Sequence, residues 1–360
     1  MLLQSLLNKR NVICFFLIFV FILNLFPLQL GDGTSENKNR PVQIDIGVQS
    51  VSSGSYHTIY IKGNVLMGTG DNTYYQLGTD DKTEYNTPIK IDKKVIYAEA
   101  GNYATFYIRE DNSLWGCGYI PSHFEISNNT KKLVYKTISK PVCIDKNVVQ
   151  VSATSTIMYI KKDGSLWGFG ENQNGQLGIG NKENQVQPLM IQNNIKKVLC
   201  GEINSFFINS ENELFQTNSD GQFEKIDTNV KTISNYIYIK CDNTLWGYGF
   251  PYYGALGIGE QTEMVKQPVL IMKDVKDVSS DPNQNHTLII TNDSKLYVCG
   301  GSSHNNWGQL GLGKNEIQFY PVYLCDKVVS VSSGNLYSHF IETDGTLWGM
   351  GLNNRNTAGL

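Results

Sequence analysis

The chain has 360 residues, 41% of them hydrophobic and 18% charged, enough to bury a sizeable core. Its 30 basic and 33 acidic side chains leave a net charge of -3, so no basic face is implied and nucleic acid is not an expected partner. The 34 glycines against 10 prolines read as turn punctuation rather than disorder.

Lys9 and Arg10 precede an apolar run from Val12 to Leu30, broken only by Asn24 and Gln29. A positive flank before such a run is the signature of membrane targeting, with the remainder of the chain sent outward. Its length lies between a signal-peptide core and a full span of about 20 residues. No A-x-A-like site follows; Gly31 and Gly33 are the only small pair. Residues 1–30 are therefore expected as one apolar helix, either an uncleaved anchor contacting the membrane through residues 12–30 or a cleaved signal. The protein is expected to be membrane-anchored facing outside, or secreted. Gly31 to Pro41 reads as a short flexible linker (residues 31–40) before a domain over 41–360.

A repeat then organises the chain. Aligned on Leu-Trp-Gly, seven rows carry Met67, Trp115, Trp167, Phe215, Trp246, Tyr297 and Trp348 at the aromatic position. The spacings, by difference of those numbers, are 48, 52, 48, 31, 51 and 51 residues. Each row begins with a short apolar run such as VVQVSA at Val148. A second run such as TIMYI at Thr156 leads to a tight turn, for example Asp163-Gly164 or Asp111-Asn112. These dipeptides tolerate the positive φ of a two-residue hairpin. The Leu-Trp-Gly strand follows, then a glycine-rich loop, then a strand introduced by Pro88, Pro141, Pro188, Pro268 or Pro321. Proline lacks a donor and suits a strand start or an edge. Each row thus reads as a four-stranded antiparallel meander, which buries both its faces only when packed radially against others.

The pattern resembles the regulator of chromosome condensation repeat family. The resemblance is carried by VQSVSSG at Val48 to Gly54, by DGSLWGFGENQNGQLGIG at Asp163 to Gly180 and by the matching rows, over about residues 41–360. It implies an all-β, seven-bladed propeller. Row two departs by losing the Gly-Gln-Leu-Gly segment, and row four by losing nearly the whole loop. The last row stops before any Pro-led strand, whereas an orphan Pro-led strand, Pro41 to Ile46, precedes the first. Placed after Leu360 the orphan completes the seventh blade, so it is expected to pair with the strand around Thr346 to Gly351. Such an exchange ties the ring shut and removes two edges.

Trp115, Trp167, Trp246 and Trp348 are expected to be structural, packed between adjacent blades. The glycine loop has no G-K-[ST] and no G-x-G-x-x-G opening a helix, so a phosphate cradle is rejected. None of the five histidines has metal-ligand spacing, and His57 and His286, each before a Thr at the same point of its row, read as structural. No G-x-S-x-G elbow or EF-hand loop is present, and acidic pairs such as Asp80-Asp81 read as solvated faces. No catalytic group, cofactor or metal is expected, and the chain is read as non-enzymatic. Cys117 with Cys143, and Cys299 with Cys325, fall on neighbouring strands and could be bridged or free.

Function is sought in the loops. By meander parity the first-to-second and third-to-fourth loops open on one face. That face carries Tyr74 and Tyr75, His123 and Phe124, Phe250, Tyr252 and Tyr253, His304 and Trp307, with Tyr56, Tyr103 and Tyr337 from the shorter loops. Tyr and Trp are favoured interface anchors; the alternative is that these rings pack locally as lids. The variable middle of row three, Glu171 to Gln173, lies on the same loop set. The reading is a monomeric propeller binding an unknown protein or glycan outside the cell. Two alternatives come from the resemblance. One is a secreted enzyme inhibitor similar to the β-lactamase inhibitory proteins, and the other is guanine-nucleotide exchange on a small GTPase, the role of the founding nuclear member. A hydrolase would need an acid or nucleophile cluster in the central channel, and none is visible in the sequence.

Overall fold

The computed structural model describes residues 28–353 except 128–129, 251, 261–262, 282–284 and 302–306. The expected N-terminal apolar helix falls, up to Pro27, outside the described residues. Among the described residues no helix is long and apolar enough to cross a membrane. The strands form seven four-stranded antiparallel sheets, each a meander except the last. Blade 1 comprises Val48–Ser53, His57–Lys62, Val65–Gly70 and Tyr85–Lys93, and blades 2 to 6 follow in chain order. Blade 7 takes Val328–Gly334, Tyr337–Glu342 and Leu347–Gly351 from the end of the chain and Lys38–Asp45 from its beginning. Gln43 lies opposite Trp348 and Val42 opposite Gly349 in that antiparallel pair, which is the place the orphan strand calls for.

The exchange goes deeper than one strand. Leu28, Gln29 and Leu30 are fully buried. The Leu30 amide donates to Asn353 Oδ1 at 3.1 Å, as the Leu177 amide donates to Asn172 Oδ1 at 2.8 Å. Asn353 Nδ2 reaches the Thr34 carbonyl and the Asn353 amide reaches Asn37 Oδ1. Asn172 makes the same two contacts with the Asn181 carbonyl and Asn184 Oδ1. Gln29-Leu30-Gly31-Asp32-Gly33 is therefore the Gln-Leu-Gly-x-Gly loop of blade 7, supplied from the other end of the chain. This corrects two expectations. The segment read as a flexible linker is an ordered blade loop, because its backbone is satisfied by Asn353 and by the Gly33–Asn86 amide–carbonyl pair. The last three residues of the apolar run are propeller core, because Leu30 fills the site that Leu77, Leu177, Leu256 and Leu310 fill in other blades.

Two repeated interactions join the blades. Around the axis, the serine near the end of one first strand accepts from a backbone amide of the next blade. Ser332 takes Ser53 (2.8 Å), Ser52 takes Ala100 (3.0 Å), Ser152 takes Cys200 (3.0 Å), Ser234 takes Ser280 (2.8 Å) and Ser279 takes Ser333 (2.9 Å). Farther out, a second-strand tyrosine donates to an aspartate at the end of the preceding blade's last strand. The pairs are Tyr60–Asp45, Tyr107–Asp92, Tyr159–Asp145 and Tyr238–Asp227, at 2.5 to 2.8 Å. Lys62, Arg109, Lys161 and Lys240 complete each clamp through an ion pair with the same carboxylate. Three of those cations also cover the row tryptophans: Arg109 lies 3.7 Å from the Trp115 ring centroid, Lys161 4.4 Å from Trp167 and Lys240 5.0 Å from Trp246. The tryptophans do pack at blade junctions, but they are half-buried rather than enclosed. In three of them the indole N–H donates to the hydroxyl two residues earlier: Trp115 to Ser113, Trp167 to Ser165 and Trp246 to Thr244.

The second glycine of the W-G-x-G strand is required by its backbone. Gly170 sits at φ +112°, and a Cβ there would lie 2.6 Å from the Ser155 carbonyl. Of the two alternatives left open for Cys117 with Cys143 and Cys299 with Cys325, the thiols are free. Cys117 is buried while Cys143 is exposed opposite Trp115; Cys299 is buried while Cys325 lies opposite Leu296, three residues away along the same strand.

Burial alone would raise the four clamp carboxyls. Hydrogen bonds from the tyrosines and the paired cations outweigh it and hold each below its ordinary 3.8. The partner tyrosines are pushed above 10.0, first by burial and then by the aspartate. The carboxylate contribution is thus present above pH 3.8 and lost as pH falls through the depressed values. The tyrosine contribution is present below pH 10.0 and lost as pH rises. The clamp's share, read by circular dichroism as the melting-temperature difference between the parent and Asp92→Asn, is expected to be flat between these limits and to shrink on both sides, the substitution costing about 1–3 kcal/mol at neutral pH. Leu30→Ala is expected to cost about 2–5 kcal/mol in denaturant unfolding. A chain beginning at Leu28 should melt with the full chain, and one beginning at Thr34 well below it.

Candidate functional site

The first strands line a central channel that opens into a cavity of about 330 Å³, walled largely by serines. Three titratable side chains of these strands interact electrostatically, and Glu99 among them lines the cavity. Glu99 stands where other blades have the belt serine, and burial raises its carboxyl to about 7. Lys197 is lowered by burial against the pull of Asp277 and Glu99, and Asp277 is raised by burial. The Tyr97 hydroxyl donates to the Val151 carbonyl at 3.2 Å and Lys197 bonds Thr232. These contacts take over the two blade junctions where the serine is replaced, by Glu99 and by Leu199. The sequence reading saw no acid cluster here, because Glu99, Lys197 and Asp277 come from blades 2, 4 and 6. They form a polar lining without a nucleophile beside a base. Among the described residues no group of three or more potential metal ligands occurs.

The loop face carries the larger feature. Blade 2 lacks the glycine loop and instead prolongs its third and fourth strands, Leu114–Ser127 and Thr130–Asp145, into a hairpin arm. The arm puts Tyr119 opposite Thr137 and Pro121 opposite Tyr135. Five tyrosines then touch in sequence across blades 1 and 2. Ring centroids are 5.2 Å apart for Tyr56–Tyr103, 5.0 Å for Tyr103–Tyr74, 5.1 Å for Tyr74–Tyr119 and 4.6 Å for Tyr119–Tyr135. Offset and edge contacts at these distances are the favoured aromatic geometries. At the far end the Tyr135 hydroxyl donates to Glu171 Oε1 at 2.8 Å, tying the arm to the blade 3 loop. Near the axis Ser55 donates to Asn102, and Asn102 donates to Glu202 Oε1 at 2.8 Å. Burial raises the hydroxyl pKa of Tyr56, Tyr103 and Tyr135; nearby Asp71 adds to the first two and Glu171 to the third.

Of the residues expected on this face, Tyr56, Tyr74 and Tyr103 come together in the ladder. Tyr75 turns away at φ +65° beneath the Lys82 ammonium, 5.2 Å from its ring centroid. His123 and Phe124 sit on the strands of the arm rather than in a loop, since pairing replaces the loop in this blade. Tyr253 is exposed on blade 5, apart from the ladder. Trp307 is half-buried on blade 6. His304 and the side chain of Tyr252 lie outside the described residues. Tyr337 is a correction: it is fully buried, with its hydroxyl 2.9 and 2.8 Å from the Gly54 and His57 carbonyls, which share its one donor across the closing junction. His57 and His286 are structural, bonding Thr105 and Ser338 of the following blade at 2.9 and 2.8 Å. Tyr119, Tyr135 and Glu202 were missed. The alternation in YIPSHFEIS and LVYKTIS was the available signal for the arm.

Comparison with known proteins fits this closed antiparallel propeller with a loop-borne surface. The model of the regulator of chromosome condensation (RCC1) repeat matches residues 163–208 and 293–341. The repeat model thus matches two stretches of a chain whose strands form seven blades. The chain is 27% identical over 234 residues to the ultraviolet-B receptor UVR8 of Arabidopsis thaliana, covering 55% of this chain and 52% of that protein. It is 33% identical over 127 residues to the X-linked retinitis pigmentosa GTPase regulator of Canis lupus familiaris, covering 33% of this chain and 12% of that protein. The chain thus spans about half, or much less, of the length of these relatives. Prp20p from Saccharomyces cerevisiae shares the fold, with a TM-score of 0.68 at 15% identity over 86% of this chain and 83% of that one.

The thiols divide between surface and core. Cys143 and Cys241 are exposed, whereas burial pushes Cys117, Cys200 and Cys299 up to about 12. In the native protein at pH 8, a thiol reagent is expected to modify Cys143 and Cys241 rapidly, and the buried three only after unfolding.

Proposed function

We propose that this propeller is a protein-binding regulator of the guanine-nucleotide-exchange type, engaging a small GTPase through the loop face. The observation that carries the reading is the continuous tyrosine ladder from Tyr56 to Tyr135, which concentrates amphipathic rings on one face of a closed ring. Among similar proteins, one is named a GTPase regulator. Another, Prp20p, was described with its binding properties to Gsp1p and histones. The main alternative is a binding role outside the cell. Its support is the apolar run after Lys9 and Arg10, now ending at Pro27 because Leu28 to Leu30 belong to blade 7.

A panel of small GTPases loaded with fluorescent GDP tests the first reading. Residues 28–360 are expected to accelerate GDP release from at least one member, and a Tyr74→Ala/Tyr119→Ala/Tyr135→Ala variant to lose most of the effect. No binding and no acceleration across the panel overturns it. Protease protection of the propeller in intact cells separates the two readings: digestion from outside supports the extracellular role, and protection supports the GTPase role.

A further inference from the structure

We infer that the tyrosine ladder and the carboxylates of Glu171 and Glu202 form a docking groove for an arginine-bearing segment of a protein partner. This rests on the protein-binding reading and specifies the chemistry of what binds.

The electrostatics of the groove point to a cation. Five tyrosine rings in contact offer faces, the negative side of the aromatic quadrupole, that attract positive charge. Glu171 and Glu202 are half-buried beside them, and among the described residues neither has an ion-pair partner. That sets them apart from the four clamp aspartates, each of which holds a lysine or arginine. Both glutamates are also held in place. Tyr135 fixes Glu171 and Asn102 fixes Glu202, each through Oε1, so each carboxylate is oriented with its Oε2 available. A half-buried carboxylate, oriented by neutral donors and left without a cation, favours a positive partner that completes it.

Arginine fits better than lysine. Its planar guanidinium can stack on a ring while its edge donates to a carboxylate. The protein contains this arrangement internally: Arg109 stacks on Trp115 at 3.7 Å and pairs with Asp92 at 2.7 Å. In the groove, the accessible ring of Tyr119, 37% exposed, would take the stacking role, with Glu171 or Glu202 as the pairing group.

The test uses residues 28–360 and fluorescently labelled oligo-arginine, oligo-lysine and oligo-glutamate peptides, read by anisotropy at about 0.15 M salt. Oligo-arginine is expected to bind more tightly than oligo-lysine, and oligo-glutamate not to bind. A Glu171→Gln/Glu202→Gln variant, nearly isosteric, should weaken oligo-arginine binding about tenfold. Glu211→Gln, in a second-to-third turn on the opposite face, should leave it unchanged, and Tyr119→Leu should narrow the preference for arginine. Equal binding by parent and double variant, an equal loss with Glu211→Gln, or self-association of the propeller through this face overturns the inference. The GTPase assay keeps the two readings apart. If the double variant still accelerates GDP release fully, the arginine groove fails while the exchange reading stands. If no GTPase responds yet oligo-arginine binding depends on the two glutamates, the groove stands and the exchange reading fails.

Discussion

The structure depends on the junction between blades. A single four-stranded meander leaves both faces exposed, so each blade is stable only against its neighbours. The clamp of tyrosine, aspartate and cation crosses that junction at its outer side, and the serine-to-amide bond crosses it at the axis. The clamp residues lie on two strands, one from each of two blades, but at constant places in the repeat. A single sequence unit can therefore encode an interface it cannot form alone. Where a row departs from the unit, the junction changes chemistry: with Glu99 and Leu199 in the serine position, Tyr97 and Lys197 make the crossing instead.

The ring must also close, and here the chain is cut inside a loop rather than between blades. Asn353 and Gln29 to Asn37 rebuild across the two termini the bonds that Asn172 makes within one continuous loop. Closure by a whole loop and a strand ties more surface than a strand alone. It places the N-terminal segment and the last described residues together on the loop face.

The proposed binding surface is the part of the molecule least like the repeat. Row two gives up the glycine loop for a paired arm, and that departure brings Tyr119 and Tyr135 against Tyr74. The tryptophans and glycines that make the repeat recognisable instead serve hydrogen bonds and close backbone approach within the wall of the ring.

The sequence by itself determined the seven-fold repeat, the four-strand order within each row and the donation of an N-terminal strand to the last blade, because strand pattern, turn dipeptides and leading prolines are local signals. It also contained Gln29-Leu30-Gly31-Asp32-Gly33 as a readable loop motif. The apolar run before it masked that motif, since hydropathy alone does not separate a membrane-directed leucine from a core leucine. Tertiary structure decided the site. Asn102 and Glu202 are 100 residues apart in the chain yet hydrogen-bonded at the axis. Tyr337 reads like Tyr56 or Tyr103 at the same loop but is turned inward by two carbonyls of blade 1. Which tyrosines meet, and which carboxylates remain without a cation, depends on how neighbouring blades pack around the axis, and no local pattern in the chain carries that information.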